Sequence, residues 1–426
     1  MKPTNSIKIT YWVSLLFFIF FSAVKAESQV PGCTDPLANN YNSSSTVNDG
    51  SCTYNATSYT PTIKVDPISS SLVESSGLQM AGNYLWSFND GGGAAAIYRI
   101  DTLTNTILQT VNLSQAINVD WEDIAFDGTY FYIGDFGNNA NGARTDLKIY
   151  KFPFSAIPAF VNNANVTIPS AQIETINFSY SDQPQPTAAA SPNSTDFDCE
   201  AMLIDGGKIH LFTKKWLSLT STHYIINTTL PGNYILDPVE TLPTGFLVTA
   251  ADKAPGHSTI ALLGYQNSGS GSHFLEILTG YADGYYFNGN KRTINLPDAS
   301  VMGQSEGITF RDSVYGYISN EKFVRNIAGF TIAVNQKLRS FNINAFISPV
   351  AATVYKFIGT GNWDTSANWL NNEIPPSTIT AGSEIIIDPP AGSDCILNIP
   401  YTLSSDSILT VNSGKKFLIQ GNLSIQ

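Results

Sequence analysis

Residues 121–134 read WEDIAFDGTYFYIG. Two short apolar runs flank the turn formers Asp127 and Gly128, and a carboxylate, Glu122, stands before the first run. That is the signature of a tight β-hairpin. The order recurs along the chain. Residues 199–212 read CEAMLIDGGKIHLF, and residues 305–318 read SEGITFRDSVYGYI. Looser copies are SGLQMAGNYLWSF at 76–88 and VTAADKAPGHSTIALL at 248–263. The polar residues that open the five units are Ser76, Glu122, Glu200, Thr249 and Glu306, at intervals of 46, 78, 49 and 57 residues. Units of this length each fit one four-stranded blade. Five units predict an all-β fold, a β-propeller of five blades. The long second interval holds the Pro/Ser/Asn-rich stretch 183–193, which reads as a surface loop. Six blades are the alternative if that interval conceals a further unit. Thr62–Val65 is the segment expected to close the ring.

Around this body, residues 61–350, the chain divides further. Residues 1–26 read as a cleavable secretory signal. Lys2 and Lys8 are basic, Trp12 to Phe21 is almost wholly apolar, and Ala23-Val24-Lys25-Ala26 offers small residues for cleavage. No later run is long and apolar enough to span a bilayer, so the expected location is secreted or at the cell surface. Residues 27–60 form a turn-rich module bracketed by Cys33 and Cys52. These two are expected to pair, closing a loop worth about 3 kcal/mol. Asp35, Asn40, Asn42, Asn48 and Asp49 in it are oxygen donors of the type calcium prefers. Cys199 and Cys395 fall in different predicted domains and are expected as buried free thiols, a bridge between them being the alternative. Residues 351–426 alternate short aliphatic strands with Ser/Asn/Gly turns, the texture of an accessory, β-helix-like domain.

Composition excludes some functions. The 426 residues carry a formal net charge of −12, which argues against nucleic acid as a partner. The four histidines show no HExxH or close HxH spacing for zinc, and no GxSxG elbow occurs.

In a propeller the innermost strands run along a central channel, so the five unit openers converge on the axis. Three of them are carboxylates. They must either take up protons or bind a cation. Five oxygen-bearing side chains suit Ca²⁺, which makes calcium the expected cofactor. Rim loops supply a second group of candidates for binding: Asn89, Asp90, Asp135, Arg144 and Lys214. Asp135 and Arg144 read as a substrate clamp or as a turn held by an ion pair. Trp121 and Trp216 are candidates to line the channel.

Resemblances add to this reading. The order Ser, Glu, Glu, Thr, Glu resembles the blade starts of the calcium-activated apyrase propellers, on Glu74-Ser75-Ser76, Trp121-Glu122, Cys199-Glu200-Ala201 and Glu306-Gly307-Ile308. That resemblance implies five blades with one axial Ca²⁺. Asp252 rivals Thr249 as the fourth ligand. The chain departs from apyrases after the second strand, where Phe88-Asn89-Asp90-Gly91-Gly92-Gly93 lacks their arginine for phosphate chemistry. The NDGG, DWEDIA, IGDFGNN and EGITF stretches are closer to those of uncharacterised secreted propellers of Bacteroidetes. The GCTDP…DGSC segment resembles a module of Bacteroidetes surface proteins and, distantly, thrombospondin type 3 calcium repeats. The tail resembles the first coils of right-handed β-helices on bacterial surface proteins. The function expected from all this is a calcium-stabilised binding or structural module for a glycan, protein or small-molecule ligand. The alternative is a calcium-dependent hydrolase of phosphate esters or lactones at the channel mouth.

Overall fold

The computed structural model describes residues 29–282, 284–327, 330–348, 353–376, 379, 383–403 and 407–425. The predicted signal, residues 1–26, lies outside them. Five antiparallel sheets follow one another along residues 75–342, and each is one blade. Their innermost strands are Ser75–Ala81, Trp121–Phe126, Cys199–Asp205, Leu247–Lys253 and Gln304–Phe310, for blades 1 to 5. Each strand hairpins to the next one outward, as the turn residues dictate.

The number of blades is five. The long second interval holds an extra outer strand, Ala164–Ile168, and the irregular stretch 181–198, which contains the predicted loop. Thr62–Val65 closes the ring as expected. It pairs antiparallel with Lys337–Asn342 as the outer strand of blade 5, with Val65 opposite Leu338. Val65, Ile68 and Leu72 then pack with Leu78, Leu85 and Ile100 of blade 1. The N-terminal segment thus ties the last blade to the first.

Three blades carry a fifth strand that the periodicity did not reveal. Ala164–Ile168 adds in parallel to Ile107–Leu113 of blade 1, and Gly232–Leu236 adds in parallel to Glu174–Tyr180 of blade 2. Thr57–Ser58 does the same on Asn290–Asp298 of blade 4. Such additions cover strand edges that would otherwise stay open to pairing.

The core lies between blades, where apolar residues of facing sheets interdigitate. Between blades 1 and 2, Trp86 meets Phe131 edge to face at 5.4 Å, and Phe88 meets Trp121 at 5.5 Å. Trp121 is therefore core and not channel lining. At the axis the innermost strands touch through their backbones. Gly307 of blade 5 lies against the carbonyl oxygen of Ser76 in blade 1, and a Cβ there would overlap it.

The Cys33–Cys52 disulfide is formed, and Cys199 and Cys395 are free and buried. The oxygen donors of the N-terminal module serve turns and docking. Asp35, Asn42 and Asp49 accept from the backbone N–H groups of Leu37, Ser44 and Ser51, and Asn40 accepts from that of Thr53. Asn48 donates to Gly280 O in blade 4 at 2.9 Å. The tail is a stack of parallel strands, as in a β-helix. Val354–Phe357, Glu384–Ile387 and Ile408–Val411 form one face, and Gly361–Asn362, Asp394–Leu397 and Lys416–Ile419 a second. Phe357, Trp363, Trp369, Ile385 and Leu397 fill its interior.

Overfilling a packed site costs about 1–3 kcal/mol. Gly307→Ala is expected to lower the unfolding free energy by about that amount. Gly93→Ala, whose new Cβ would find its nearest neighbour at 3.6 Å, is expected to be neutral. Urea unfolding of the two variants checks this.

Candidate cation and ligand site at the channel mouth

The five residues that open the sequence units occupy one structural position. In every blade the innermost strand carries an extra, unpaired residue, a β-bulge. In blade 2, Trp121 faces Asp135 and Asp123 faces Gly134, so Glu122 has no partner across the ladder. Glu200, Thr249 and Glu306 stand in the same way between paired neighbours in blades 3, 4 and 5. Ser76 lies in the corresponding shift of blade 1. Bulges interrupt the alternation of faces and re-aim a side chain. All five residues are buried, between 1% and 4% exposed.

The five do not act alike. The two hydroxyls clasp neighbouring blades. Ser76 Oγ donates to Glu122 O at 2.7 Å, and Thr249 Oγ1 donates to Ser305 O at 2.8 Å. Asp252, the rival to Thr249, also works as a clasp. It accepts from the Phe310 N–H at 2.7 Å and the Thr309 hydroxyl at 2.9 Å in blade 5. Asp123 does the same from blade 2 to blade 3, accepting from the Met202 N–H at 2.8 Å.

The three glutamates divide between two sides of the mouth. On one side Lys214 reaches inward. Its Nζ stands 3.1 Å from Glu200 Oε1 and 3.9 Å from Glu306 Oε1. The Trp216 and Tyr265 rings flank this ammonium at 5.0 and 5.3 Å. Gln304 Nε2 donates to Glu306 Oε1 at 2.8 Å, and the Tyr265 hydroxyl does so at 3.3 Å. Glu306 Oε2 is buried without a partner. On the other side Asp90, Asp120 and Glu122 converge, each offering an oxygen within 4.8 Å of the others. Gly137 lies directly against the Glu122 and Asp120 carboxylates, in a space a side chain would fill.

The rim candidates therefore separate. Asp90 joins the carboxylate cluster, and Lys214 joins the axial glutamates. Asn89 is structural. Its Nδ2 donates to Ser71 O at 2.7 Å, and its Oδ1 accepts from the Glu74 N–H at 3.2 Å. Asp135 and Arg144 pair with each other at 2.9 Å, and Arg144 also donates to Gly137 O at 2.8 Å. Asp135 accepts from the Asp120 N–H as well. This pair thus holds the turn on which Gly137 sits and fixes Asp120 in place.

Reading the sequence did not single out Asp120, Asp198, Gln304 or Glu321. Asp120, Asp198 and Gln304 each stand two residues before an axial glutamate, a repeated acid/amide-x-Glu pattern that was available. Glu321 pairs with Gln304 across blade 5, and Asp90 and Lys214 stand at the same rung of blades 1 and 3, their N–H groups donating to Glu74 O and Asp198 O. Asp198 accepts from Trp216 Nε1 at 2.7 Å and from the Asn138 N–H at 2.6 Å.

Burial and mutual repulsion set the charge states. Burial first, then the charge of Asp120, pushes Asp90 up to about 7. Burial and the charge of Asp198 raise Asp120 to about 6. Glu122 is held well above the usual range by burial and then by Glu200. Glu321 is raised likewise by burial and then by Glu306. Burial opposes the charged form of Lys214, but Glu200 and Glu306 outweigh it and hold the ammonium protonated.

No protein-family model matches the chain, and no curated protein matches it by sequence. Solved structures similar to it are distant. A candidate 6-phosphogluconolactonase from Bacteroides uniformis shares 12% identity, over 68% of this chain and 75% of that one, with a TM-score of 0.30. One from Bacteroides fragilis shares 10%, over 66% and 87%, with a TM-score of 0.30. A candidate glucose dehydrogenase from Thermus thermophilus shares 14%, over 64% and 85%, at 0.32. Neither the blade count nor the site rests on these likenesses.

A pH dependence follows. Between the unfolded carboxylate value near 4 and the folded value of about 7, folded Asp90 keeps a proton that the unfolded chain has released. Stability therefore falls as pH rises through that window, and the raised values of Glu122 and Glu321 act in the same direction. His210 and His273, held down to about 3 and 4 mainly by burial, act oppositely, but only below about 6.5. In divalent-free buffer the melting temperature is expected to fall between about pH 6.5 and 7.5, above the histidine window and through the value of Asp90. Calorimetric scans in chelator across that range check it.

Proposed function

We propose that the protein is a calcium-stabilised β-propeller of the cell exterior that binds its ligand at the channel mouth. The observation that carries this reading is the convergence of Asp90, Asp120 and Glu122. Calcium takes six to eight oxygens from flexible carboxylates, carbonyls and water. Three carboxylates supply up to six of these. Burial first, and neighbouring carboxylates second, disfavour the charged forms of all three, and a bound divalent ion would offset both. The Gly137 cradle and the Arg144–Asp135 pair give the cluster a rigid support.

The Cys33–Cys52 disulfide supports an oxidising compartment, in line with the signal read in residues 1–26. Extracellular calcium would keep even a weak site filled. Rim loops on a rigid ring are where a glycan, protein or small polar ligand would be held. A binding role is favoured over turnover of phosphate esters by the use of the cations. Arg144 spends its donors on Asp135, Asp146 and Gly137, and Lys214 faces Glu200 and Glu306.

Calcium at 100 times its Kd is expected to add about 2.7 kcal/mol of stability. Asp120→Asn is expected to abolish that gain, while the exposed Asp146→Asn keeps it. Thermal unfolding with calcium and with chelator measures both. A wild-type melting temperature indifferent to calcium would overturn the reading.

A further inference from the structure

Blades 3, 4 and 5 build a half of the mouth that the cluster of Asp90, Asp120 and Glu122 does not use. Its centre is an ammonium supplied by the chain. Lys214 starts at the end of the second strand of blade 3 and reaches across to Glu306 of blade 5. It is almost completely buried. A lysine head is a compact, strongly hydrated point charge on a flexible stem. Taking one out of water is unfavourable unless good partners receive it. Here the partners are two carboxylates that two different blades aim at the same place.

Two observations mark this place as a cation site and not an ordinary ion pair. One is geometric: Glu306 Oε2, on a buried side chain, has no partner, so the oxygen set is larger than the ammonium uses. The other is positional. Asp90, Lys214 and Glu321 occupy the same rung of blades 1, 3 and 5, facing Glu74, Asp198 and Gln304 across the hairpin. Where blades 1 and 5 supply a carboxylate to the mouth, blade 3 supplies the ammonium.

We propose that Glu200 and Glu306 form a second cation site, that Lys214 is its built-in occupant, and that this lysine sets how many divalent ions the mouth accepts. The biological weight of this rests on the cation reading of Asp90, Asp120 and Glu122. The chemistry of the lysine side stands separately. Removing the ammonium would leave Glu200 Oε1 and Glu306 Oε1, which face it at 3.1 and 3.9 Å, without their cation. Oxygen ligands of this kind suit calcium or a similar hard divalent cation.

The test is Lys214→Gln in the full chain, stripped of metal and titrated with calcium by calorimetry, with native mass spectrometry for the count. One ion in the wild type and two in Lys214→Gln is the expected result. The second ion should be lost again in Lys214→Gln/Glu200→Gln. None in the wild type and one in Lys214→Gln would uphold the lysine's role and overturn the calcium reading of the other half. An unchanged count, whether one or none in both, would overturn the inference. If Lys214→Gln does not fold in chelator, refolding in millimolar calcium supports the inference. Failure to refold in calcium, with Lys214→Gln/Glu200→Gln folded, overturns it.

Discussion

A ring of five blades brings the starts of five strands to one axis, and here three of those starts carry glutamates. Like charges in a space with little water must be protonated, paired or metal-bound. Much of the mouth answers that constraint. Lys214 is drawn in against its own cost of burial. Gln304 and Tyr265 donate to Glu306, and Trp216 and Asn138 donate to Asp198. Among the described residues Asp90, Asp120 and Glu122 make no ion pair with a lysine or arginine, and burial together with neighbouring carboxylates favours their protonated forms. A fold that keeps such a cluster gives up stability for it, as functional sites commonly do.

The ring can hold this charge because its joints are made independently. Ser76, Asp123, Thr249 and Asp252 each hydrogen-bond to the innermost strand of the next blade. Between blades 5 and 1, the Met80 N–H donates to the Thr309 hydroxyl, and Gly307 lets the backbones approach. Farther out, Thr62–Val65 ties blade 5 to residues preceding blade 1, and aromatic packing fills the gaps between sheets. Polar clasps near the axis and apolar packing outside it are separate cohesive systems. Charge at the mouth therefore strains the site without opening the ring.

The sequence made the ring and its axial residues legible because both depend on local pattern. Each hairpin has its own turn, and each bulge residue sits four or five residues before the end of its strand. Ser76, Glu122, Glu200, Thr249 and Glu306 could thus be aligned without coordinates. What stayed hidden depends on register between strands. Lys214 looked like a rim residue until its rung placed it beside Glu200. Asp135 and Arg144 were legible as neighbours, but their role under Asp120 requires the fold of the 134–138 turn. Trp121 and Trp216 both stand near axial positions in sequence. Alternation sends the first into the core beside Phe88 and leaves the second against Asp198. The added outer strands escaped because they pair in parallel with a neighbouring blade, a contact with no local signal.

The order of residues around the ring explains why the mouth has two unlike halves. Going round, the openers are Ser76, Glu122, Glu200, Thr249 and Glu306. The hydroxyls stand on either side of Glu306 and separate it from the other two glutamates. Only Glu122 and Glu200 are adjacent, and Glu200 is the charge that most raises Glu122. An ammonium on blade 3 can relieve that pair from one side only. By facing Glu200 and reaching over blade 4 to Glu306, Lys214 gathers the two glutamates on its own side. Glu122 is left facing Asp90 and Asp120 from blades 1 and 2, and among the described residues no lysine or arginine lies within ion-pair distance of the three. One internal cation, facing two of the three axial carboxylates, thus divides the mouth into a half that holds a lysine and a half where Asp90, Asp120 and Glu122 crowd together.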